Sequence, residues 1–506
     1  MKAKKLNAPP VTATPHGFRL KYLNAPARSS LMFTVTNLLS KGASLVFTPI
    51  FTRLLTPEEY GEYSLFSSYL SLALVTVTLE IPGSVIMRAF QKNRGLENLT
   101  ALTASAIPLL LTAPAVILLT NRPGGLAFPH APLFLALSLL SLSFINLYTS
   151  SAKFLYRTAT PMLLALVQSV AAPLISIALL SSSANERYGG ALIKVGTGSI
   201  VSAAVAAILF SLALTRALRE ARHAGLDAVG YFGFARGLYK TLLSLSLPLL
   251  PYYFSVMIIS QADKLIISER LGSEALGKYA LAYSAGIALT AVTGGITSAL
   301  FPWIMRKVRA GDIPTVRRAL GAIISIGVPA VILFLCAAPE VFAALAPKSY
   351  GIALPVLFIT ALVPLPLAIS GALCSIAVAR EKALGILLSG ITAAGGAVVL
   401  DLALVGRAPL FAPAIVTAVS YTALMLFESI SVRKILGKFP INVNKALQKL
   451  AFLAFSTAAV FALRLYPLAR AVIAALALVY LIYMLLRSKW LLGEKGDLGQ
   501  ERYGRK

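Results

Sequence analysis

The stretch Leu55-Thr-Pro-Glu58-Glu-Tyr-Gly61-Glu-Tyr63-Ser-Leu65-Phe-Ser-Ser68 decides the fold, because it occurs a second time in the chain. It aligns without gaps with Leu271-Gly-Ser-Glu274-Ala-Leu-Gly277-Lys-Tyr279-Ala-Leu281-Ala-Tyr-Ser284, and the two copies share the six numbered residues. Each copy lies between two long apolar runs, which predicts the hairpin of a pair of membrane helices. In a polytopic membrane protein, internal repeats usually mark two related halves that move against each other around a central site. The repeat therefore predicts a transporter.

The composition excludes a soluble globular protein. Of the 506 residues, 58% are hydrophobic and only 13% are charged, and the mean hydropathy is +0.80. Soluble domains carry about 25% charged residues, so this chain belongs in a lipid bilayer. The formal net charge is +27. The Lys and Arg residues sit in short loops between apolar runs, a pattern typical of contact with anionic membrane lipids rather than with nucleic acid.

The apolar runs predict an all-α polytopic membrane protein with about fourteen transmembrane helices, since a span needs about 20 mostly apolar residues. The first twelve spans form two six-helix lobes, the N-lobe at 29–214 and the C-lobe at 241–428, and a C-terminal helix pair follows at 447–487. Basic cytoplasmic segments flank them at 1–28, 215–240, 429–446 and 488–506. The predicted spans are 29–52, 62–87, 101–120, 131–152, 161–182, 190–214, 241–268, 276–305, 319–345, 352–379, 383–404, 408–428, 447–465 and 468–487.

The distribution of Lys and Arg predicts the orientation. Both are more frequent in every second loop, which is the pattern of a protein of the cytoplasmic membrane with both termini in the cytoplasm. Lys41 and Lys264 fall within spans, and Lys194, near the start of the sixth span, is counted with the outer loops. Six spans separate the two copies of the repeat, so both hairpins face one side and the halves are parallel repeats. We therefore expect the two hairpins to form the rim of an outer gate.

Two segments resemble a known family. They are Thr48-Pro-Ile-Phe-Thr-Arg-Leu-Leu-Thr-Pro-Glu-Glu-Tyr-Gly-Glu-Tyr63 and Gln261-Ala-Asp-Lys-Leu-Ile-Ile-Ser-Glu-Arg-Leu-Gly-Ser-Glu-Ala-Leu-Gly-Lys-Tyr279, followed by Phe301-Pro302, and they look like signatures of polysaccharide-lipid flippases. Those proteins belong to the multidrug/oligosaccharidyl-lipid/polysaccharide exporter superfamily, and the resemblance implies its MATE-like fold. It also implies alternating access, in which an undecaprenyl-pyrophosphate-linked oligosaccharide moves from the inner to the outer leaflet through a cationic cavity.

Three cations are candidate substrate-binding residues of such a cavity. Lys41 lies in the middle of the first predicted span, where a charge costs about 2.5–3.5 kcal/mol and normally faces a cavity or a partner. In one interpretation it binds pyrophosphate or an acidic sugar, and in the other it pairs with Glu80. Arg88 and Arg157 lie at the inner ends of the second and fourth spans. They either receive the pyrophosphate or anchor their helices at the interface.

Four charged residues are candidates for gating or ion coupling: Arg53, Glu80, Asp263 and Lys264. Glu80 precedes Pro82 in a span that the proline permits to bend. It is either a carboxylate for proton-coupled gating or a counter-ion for a neighbouring cation. Asp263 and Lys264 match the acid-then-base pair that the family carries near the outer end of the seventh span. They form an outer gate with Arg53 in one interpretation and snorkel to the interface in the other.

The remaining polar residues of the spans are few. Asp401 and Glu428 lie at predicted helix ends, where we expect them to be solvated or interfacial. Cys336 and Cys374 lie in separate apolar runs, which predicts two buried thiols and no disulfide. Four amides either line the sugar path or form hydrogen bonds between helices: Asn37, Asn146, Gln168 and Gln261.

The sequence thus predicts a flippase and not an enzyme. The nearest alternative is a cation-coupled multidrug exporter of the same superfamily, although the basic candidates favour an anionic cargo. A membrane glycosyltransferase or polymerase is disfavoured, because such enzymes place carboxylates or a metal ion in a large outer loop. Here the predicted outer loops are short and Asp and Glu total 19.

No cofactor or metal site is predicted, since the three histidines lie in separate loops. The expected partners are a lipid-linked oligosaccharide and membrane lipids. H+ or Na+ is the candidate coupling ion, and a polysaccharide polymerase and glycosyltransferases are candidate protein partners.

Overall fold

The computed structural model of the protein describes residues 39–487 except for 41, 45, 82–85, 94, 121–129, 155–158, 183–188, 291, 292, 294–303, 305, 306, 309, 381 and 383. In this part of the chain the regular structure is helical, apart from an isolated bridge between Val405 and Ala408. The all-α prediction is therefore confirmed. Lys41, Arg157 and Asn37 lie outside the described residues, as does the Phe301-Pro302 pair.

Sixteen α-helices follow one another along the described chain, after a helical segment at 46–54. They are α1 (Pro57–Thr78), α2 (Ile86–Lys92), α3 (Glu97–Ala104), α4 (Ala106–Thr120), α5 (Ala131–Phe154), α6 (Ala159–Leu180), α7 (Gly190–His223), α8 (Ala228–Ser246), α9 (Leu250–Gly286), α10 (Ile313–Leu345), α11 (Leu354–Thr360), α12 (Pro364–Ala379), α13 (Leu384–Leu404), α14 (Ala412–Leu436), α15 (Val443–Ala462) and α16 (Pro467–Arg487). Short 3₁₀ helices at Ile287–Leu289 and Lys348–Ala353 follow α9 and precede α11.

Within the described ranges, nine helical stretches are long and apolar enough to cross a membrane. Two bent pairs, Val229–Ser246 with Leu250–Leu289 and Lys348–Thr360 with Pro364–Val378, raise the count to as many as eleven. The chain is therefore a multi-pass membrane protein. The total of fourteen spans stays a prediction, because 29–52 and 276–305 include residues outside the description.

The first copy of the repeat starts a helix through its capping residues. The hydroxyl of Thr56 accepts a hydrogen bond from the Glu59 N–H at 3.2 Å, and the Glu59 carboxylate accepts one from the Thr56 N–H at 2.9 Å. This reciprocal pair satisfies N–H groups that have no partner within the helix. In the second copy, Gly272 replaces Thr56 and makes the turn inside α9 with φ of +83°. Glycine adopts this left-handed conformation without strain.

Helix α1 ends well before the end of the predicted span 62–87. Leu79 and Glu80 have φ angles of 49° and 52°, in the left-handed region that non-glycine residues rarely occupy. The chain becomes helical again in α2, at Ile86. The bend predicted from Pro82 therefore begins before the proline, and Glu80 lies at the break.

The predicted cytoplasmic linkers are largely helical. Helix α7 continues to His223, and α8 follows after Asp227, whose carboxylate accepts a hydrogen bond from the Gly230 N–H at 2.7 Å. Helix α14 likewise continues to Leu436. Hydropathy gave shorter spans than these helices because Lys, Arg and Glu lower the hydropathy while favouring helical backbone.

The C-terminal helix pair, α15 and α16, packs on α10. Arg470 of α16 is 5% exposed, and its guanidinium donates to the carbonyl oxygen of Cys336 at 2.7 Å and to the carboxylate of Glu340 at 2.6 Å. A guanidinium that is held on two sides in this way fixes the orientation of its helix. Cys336 and Cys374 are buried free thiols, as predicted.

The helices pack in two groups, α1–α8 and α9–α16. The most extensive contact between two helices of the described chain joins the groups, between α1 and α9. These two helices carry the two copies of the repeat. The sequence feature that predicts the fold therefore also forms the junction between its halves.

Candidate functional site

The two copies of the repeat contact each other through their shared glycines. A Cβ atom on Gly61 would lie 1.8 Å from the carbonyl oxygen of Ser273, and one on Gly277 would lie 1.8 Å from the carbonyl oxygen of Pro57. Pro57 and Ser273 occupy the same position in the aligned repeat, so each copy presents the same surface to the other. We call this two-fold arrangement of Gly61 and Gly277 the glycine contact. Since both glycines touch backbone, no larger residue fits there without moving a helix.

A second contact joins the halves at the same end of the helices. The hydroxyl of Thr52, just before the first copy, donates to the carbonyl oxygen of Leu345 at 2.6 Å. Arg53 is exposed and donates to the carbonyl oxygens of Pro49 at 2.7 Å and Ala344 at 3.4 Å. Arg53 thus lies where the two halves meet, and its role in gating stays a prediction. Its partners in the described structure are the carbonyl oxygens of Pro49, in its own helical segment, and of Ala344, at the end of α10, and not Asp263.

A cavity of about 870 Å³ lies between the two groups of helices. Within the described part of the chain, its lining includes two glutamines (Gln168 and Gln261), many hydroxyl groups and seven aromatic residues. The aromatic residues are Phe47, Phe51, Tyr60, Tyr63, Phe66, Tyr283 and Phe334. The hydroxyl-bearing lining residues include Ser44, Thr48, Ser64, Ser67, Ser71, Ser138, Ser169, Ser176, Ser199, Ser202, Ser284 and Thr290. Hydroxyls and amides both donate and accept hydrogen bonds, which suits a polar ligand with many oxygen atoms.

Lys194 of α7 projects into this cavity. Its ammonium lies 3.7 Å from the centre of the Tyr63 ring, 4.2 Å from that of Phe51 and 4.6 Å from that of Tyr60. Such distances give favourable cation–π contacts. Among the described residues no carboxylate forms an ion pair with it. The start of α7 is held in place one helical turn before Lys194, where the N–H of Gly190 donates to the Glu59 carboxylate at 2.7 Å.

Lys194 was missed in the sequence because of where the helix begins. We counted it with the outer loops, although it is the fifth residue of the span 190–214. The sequence signal was a lysine that lies inside the predicted start of a membrane helix, next to a stretch of small residues. A lysine at such a position within a membrane helix normally faces a cavity, and this one does.

Lys264 of α9 is the second cation of the cavity, and it is almost completely buried. Its ammonium donates to the Ser260 carbonyl oxygen and to the Gln261 side-chain oxygen at 3.4 Å, and lies 3.9 Å from the centre of the Tyr283 ring. The neighbouring Asp263 carboxylate is 3.7 Å away. Lys264 therefore contributes a charge to the lining, whereas the fully buried Asp263 lies behind it.

Asp263 is held by residues of the second half. One carboxylate oxygen accepts hydrogen bonds from the Tyr279 hydroxyl at 2.5 Å and the Thr417 hydroxyl at 3.4 Å, and the other accepts one from the Lys264 N–H at 2.8 Å. Acid and base thus have mostly different partners, as expected for adjacent residues of a helix. Their role in gating stays a prediction.

The other candidate residues lie elsewhere or outside the description. Glu80 is partly buried at the break after α1 and is not among the residues that line the cavity. Arg88 lies in α2, and Lys41 and Arg157 fall outside the described residues. Of the four amides, Gln168 and Gln261 line the cavity, and Asn146 is exposed away from it.

The expectation for Asp401 and Glu428 is wrong. Asp401 is 2% exposed and Glu428 is fully buried, with one oxygen accepting a hydrogen bond from the Tyr252 hydroxyl at 2.8 Å. Glu428 does not lie at a helix end, because α14 continues to Leu436. Asp401 is buried where α13 packs against α9 and α14. Hydropathy shows how deep a residue lies in the membrane, but not which side of its helix faces protein.

Comparison with known proteins finds a family model and a relative that match this chain. The family model described as "Polysaccharide biosynthesis protein" matches residues 27–308, more than half of the chain. A relative from Haemophilus influenzae, Lsg locus putative protein 1, is 21% identical over 311 residues, which are 61% of this chain and 74% of that protein.

Two solved structures show the same architecture. The lipid II flippase MurJ in an inward closed conformation is similar with a TM-score of 0.57 and 14% identity, over 91% of this chain and 100% of that one. An inward-facing multidrug resistance MATE family transporter is similar with a TM-score of 0.55 and 13% identity, over 81% of this chain and 98% of that one. These likenesses confirm the predicted MATE-like fold.

Proposed function

Because the chain belongs to the polysaccharide biosynthesis protein family, we propose that it is a flippase that moves a lipid-linked polysaccharide precursor across the membrane. We propose further that the cargo is an oligosaccharide on undecaprenyl pyrophosphate, carried from the inner to the outer leaflet of the cytoplasmic membrane. The observation that carries this proposal is the hydroxyl-rich cavity with one lysine from each half, Lys194 and Lys264.

Such a cavity meets the physical need of a flippase. Sugar hydroxyls and a pyrophosphate cannot enter the hydrocarbon region without losing their hydrogen bonds, at a cost of several kcal/mol for each polar group. The serines, the threonines and two glutamines of the lining replace water for the sugar. The isoprenoid tail needs no cavity, because each buried CH₂ group favours the bilayer by about 0.8 kcal/mol.

The charge of the lining favours an anionic cargo. The charged residues that line the described part of the cavity are both lysines, and Asp263 is turned away from it. A pyrophosphate carries at least two negative charges and accepts strong hydrogen bonds from ammonium groups. A cation-coupled multidrug exporter, the alternative suggested by the shared fold, needs acidic groups facing its cargo. The lysines therefore support the flippase.

We propose that the glycine contact is the outer gate of an alternating-access cycle. It lies between the two halves and beside the cavity, since Tyr60, Tyr63 and Ser64 of the first hairpin line the cavity directly after Pro57. Arg53 and Thr52 add hydrogen bonds across the halves at this end. In the present state the gate is closed, so the cargo would enter from the cytoplasmic side.

The remaining candidate residues keep proposed roles in this cycle. Lys41, Arg88 and Arg157 are proposed substrate-binding cations, and Glu80 is proposed to couple gating to H+ or Na+. Net flux would come from that ion or from consumption of the product by a polymerase. Glycosyltransferases would supply the cargo on the inner side.

A complementation experiment tests the proposed function. The gene is expressed in a strain that makes the matching lipid-linked oligosaccharide and lacks its own flippase, and surface polymer is measured. In parallel, it is expressed in a strain lacking multidrug exporters, and resistance to cationic drugs is measured. We expect surface polymer to return and drug resistance to stay unchanged. Drug resistance without surface polymer would show that the protein is a multidrug exporter and not a flippase.

A further inference from the structure

The two copies of the repeat share a Gly-x-Tyr sequence, Gly61-Glu-Tyr63 and Gly277-Lys-Tyr279. The glycines meet in the glycine contact, whereas each tyrosine contacts a charged side chain of its own half, Lys194 for Tyr63 and Asp263 for Tyr279. The two tyrosines occupy equivalent positions but make different contacts. Tyr63 contacts a cavity lysine directly, whereas Tyr279 contacts the carboxylate beside the other cavity lysine.

Tyr63 contacts Lys194 through its ring. The ammonium lies 3.7 Å from the ring centre, the shortest of the three cation–π distances around this lysine. An aromatic face holds a cation without neutralising it, since the attraction comes from the ring quadrupole. The charge of Lys194 therefore stays available to an anion in the cavity.

Tyr279 acts through its hydroxyl. It is fully buried and donates to one oxygen of the Asp263 carboxylate at 2.5 Å, with Thr417 donating to the same oxygen at 3.4 Å. The other carboxylate oxygen accepts from a backbone N–H and stays 3.7 Å from the Lys264 ammonium. This separation exceeds that of a charge-assisted hydrogen bond, about 2.7–2.9 Å. Tyr279 thus restrains the carboxylate that would otherwise pair fully with Lys264.

We propose that Tyr63 and Tyr279 are positioning residues that keep the two cavity ammonium groups available for the anionic group of the cargo, Tyr63 through its ring and Tyr279 through its hydroxyl. The proposal rests on the proposed function, because it takes the cargo to be an anion. Each tyrosine acts on the lysine of its own half, Tyr63 directly and Tyr279 through Asp263, so these contacts stay the same when the halves move apart at the glycine contact.

The same substitution at the two equivalent tyrosines tests this proposal. Full-length protein is purified into nanodiscs, and its affinity for inorganic pyrophosphate is measured by calorimetry, so that the result does not depend on flipping. Tyr63→Phe keeps the ring, and we expect its affinity to stay within about twofold of the unmodified protein, whereas Tyr63→Leu weakens it about fivefold. Tyr279→Phe removes the hydroxyl and weakens the affinity about tenfold, because Asp263 then pairs with Lys264.

A second substitution separates positioning from a structural role. In Tyr279→Phe/Asp263→Asn the competing carboxylate charge is gone, and we expect pyrophosphate affinity to return to within about threefold of the unmodified protein. Equal loss in both Phe variants, or no recovery in the double variant, overturns this inference and leaves the proposed function standing. If the unmodified protein does not bind pyrophosphate, the proposal of an anion-binding cavity is wrong, and this inference is wrong as well.

Discussion

Lys194→Met lowers the rate at which lipid-linked oligosaccharide crosses the membrane by about 10- to 100-fold, the loss expected when a charged group no longer donates to an anion. Methionine keeps the length of the side chain and packs well against aromatic rings. The three rings around Lys194 therefore keep their packing while the charge is lost. Surface polymer in the complementation strain and pyrophosphate affinity of the purified protein measure the effect.

Two further variants make this result specific. Lys194→Arg keeps the charge, and we expect it to retain most of the activity. Lys449→Met removes a lysine that bonds to Ser325 and is not part of the cavity lining, so it should transport normally. Normal transport by Lys194→Met would show that the cavity lysine of the first half takes no part in the function.

Gly61→Leu disfavours closing of the outer gate. Even a Cβ atom at this position would lie 1.8 Å from the carbonyl oxygen of Ser273, and backbone cannot yield as a flexible side chain does. Overpacking costs about 1–3 kcal/mol, which lowers the population of the closed state roughly 5- to 150-fold. Gly277→Leu should have the same effect, since it meets the carbonyl oxygen of Pro57 at the same distance.

Thiol labelling measures this change directly. A cysteine at Ser284, which lines the cavity, is placed in a protein in which Cys336 and Cys374 are replaced by alanine. In whole cells, an impermeant thiol reagent should label it faster in Gly61→Leu than in the parent. Gly395→Leu is the matched control, because this helical glycine has open space around its missing Cβ. Equal labelling of Gly61→Leu and the parent would contradict the assignment of the gate.

The sequence repeat predicted more of the fold than hydropathy did. The repeat identified the two hairpins and their equivalence. Its shared glycines are the residues at which the two halves contact each other. The contact itself was not predictable, since a repeat says that two segments are alike and not that they touch. Hydropathy ended two spans at 214 and 428, although charged residues continue these helices to His223 and Leu436.

The functional site was predicted less well, because it depends on which side of its helix each residue occupies. Lys264 was recognised as a charge within a span and lines the cavity. Lys194 was counted with a loop, and Asp401 and Glu428 were taken as interfacial. These errors share one cause. A charged residue of a membrane helix is exposed or buried according to the packing of neighbouring helices, and the sequence of one helix does not contain that information.

The most direct test of the account is a flipping measurement with purified protein. Proteoliposomes are prepared with undecaprenyl-pyrophosphate-linked oligosaccharide that carries a fluorophore on the sugar, and dithionite is added outside. In protein-free vesicles the inner-leaflet fluorescence stays protected, and a trapped soluble dye reports any leak. We expect the protected fraction to disappear with the unmodified protein and to persist much longer with Lys194→Met. A protected fraction equal to that of protein-free vesicles, in sealed vesicles containing the unmodified protein, would contradict the account.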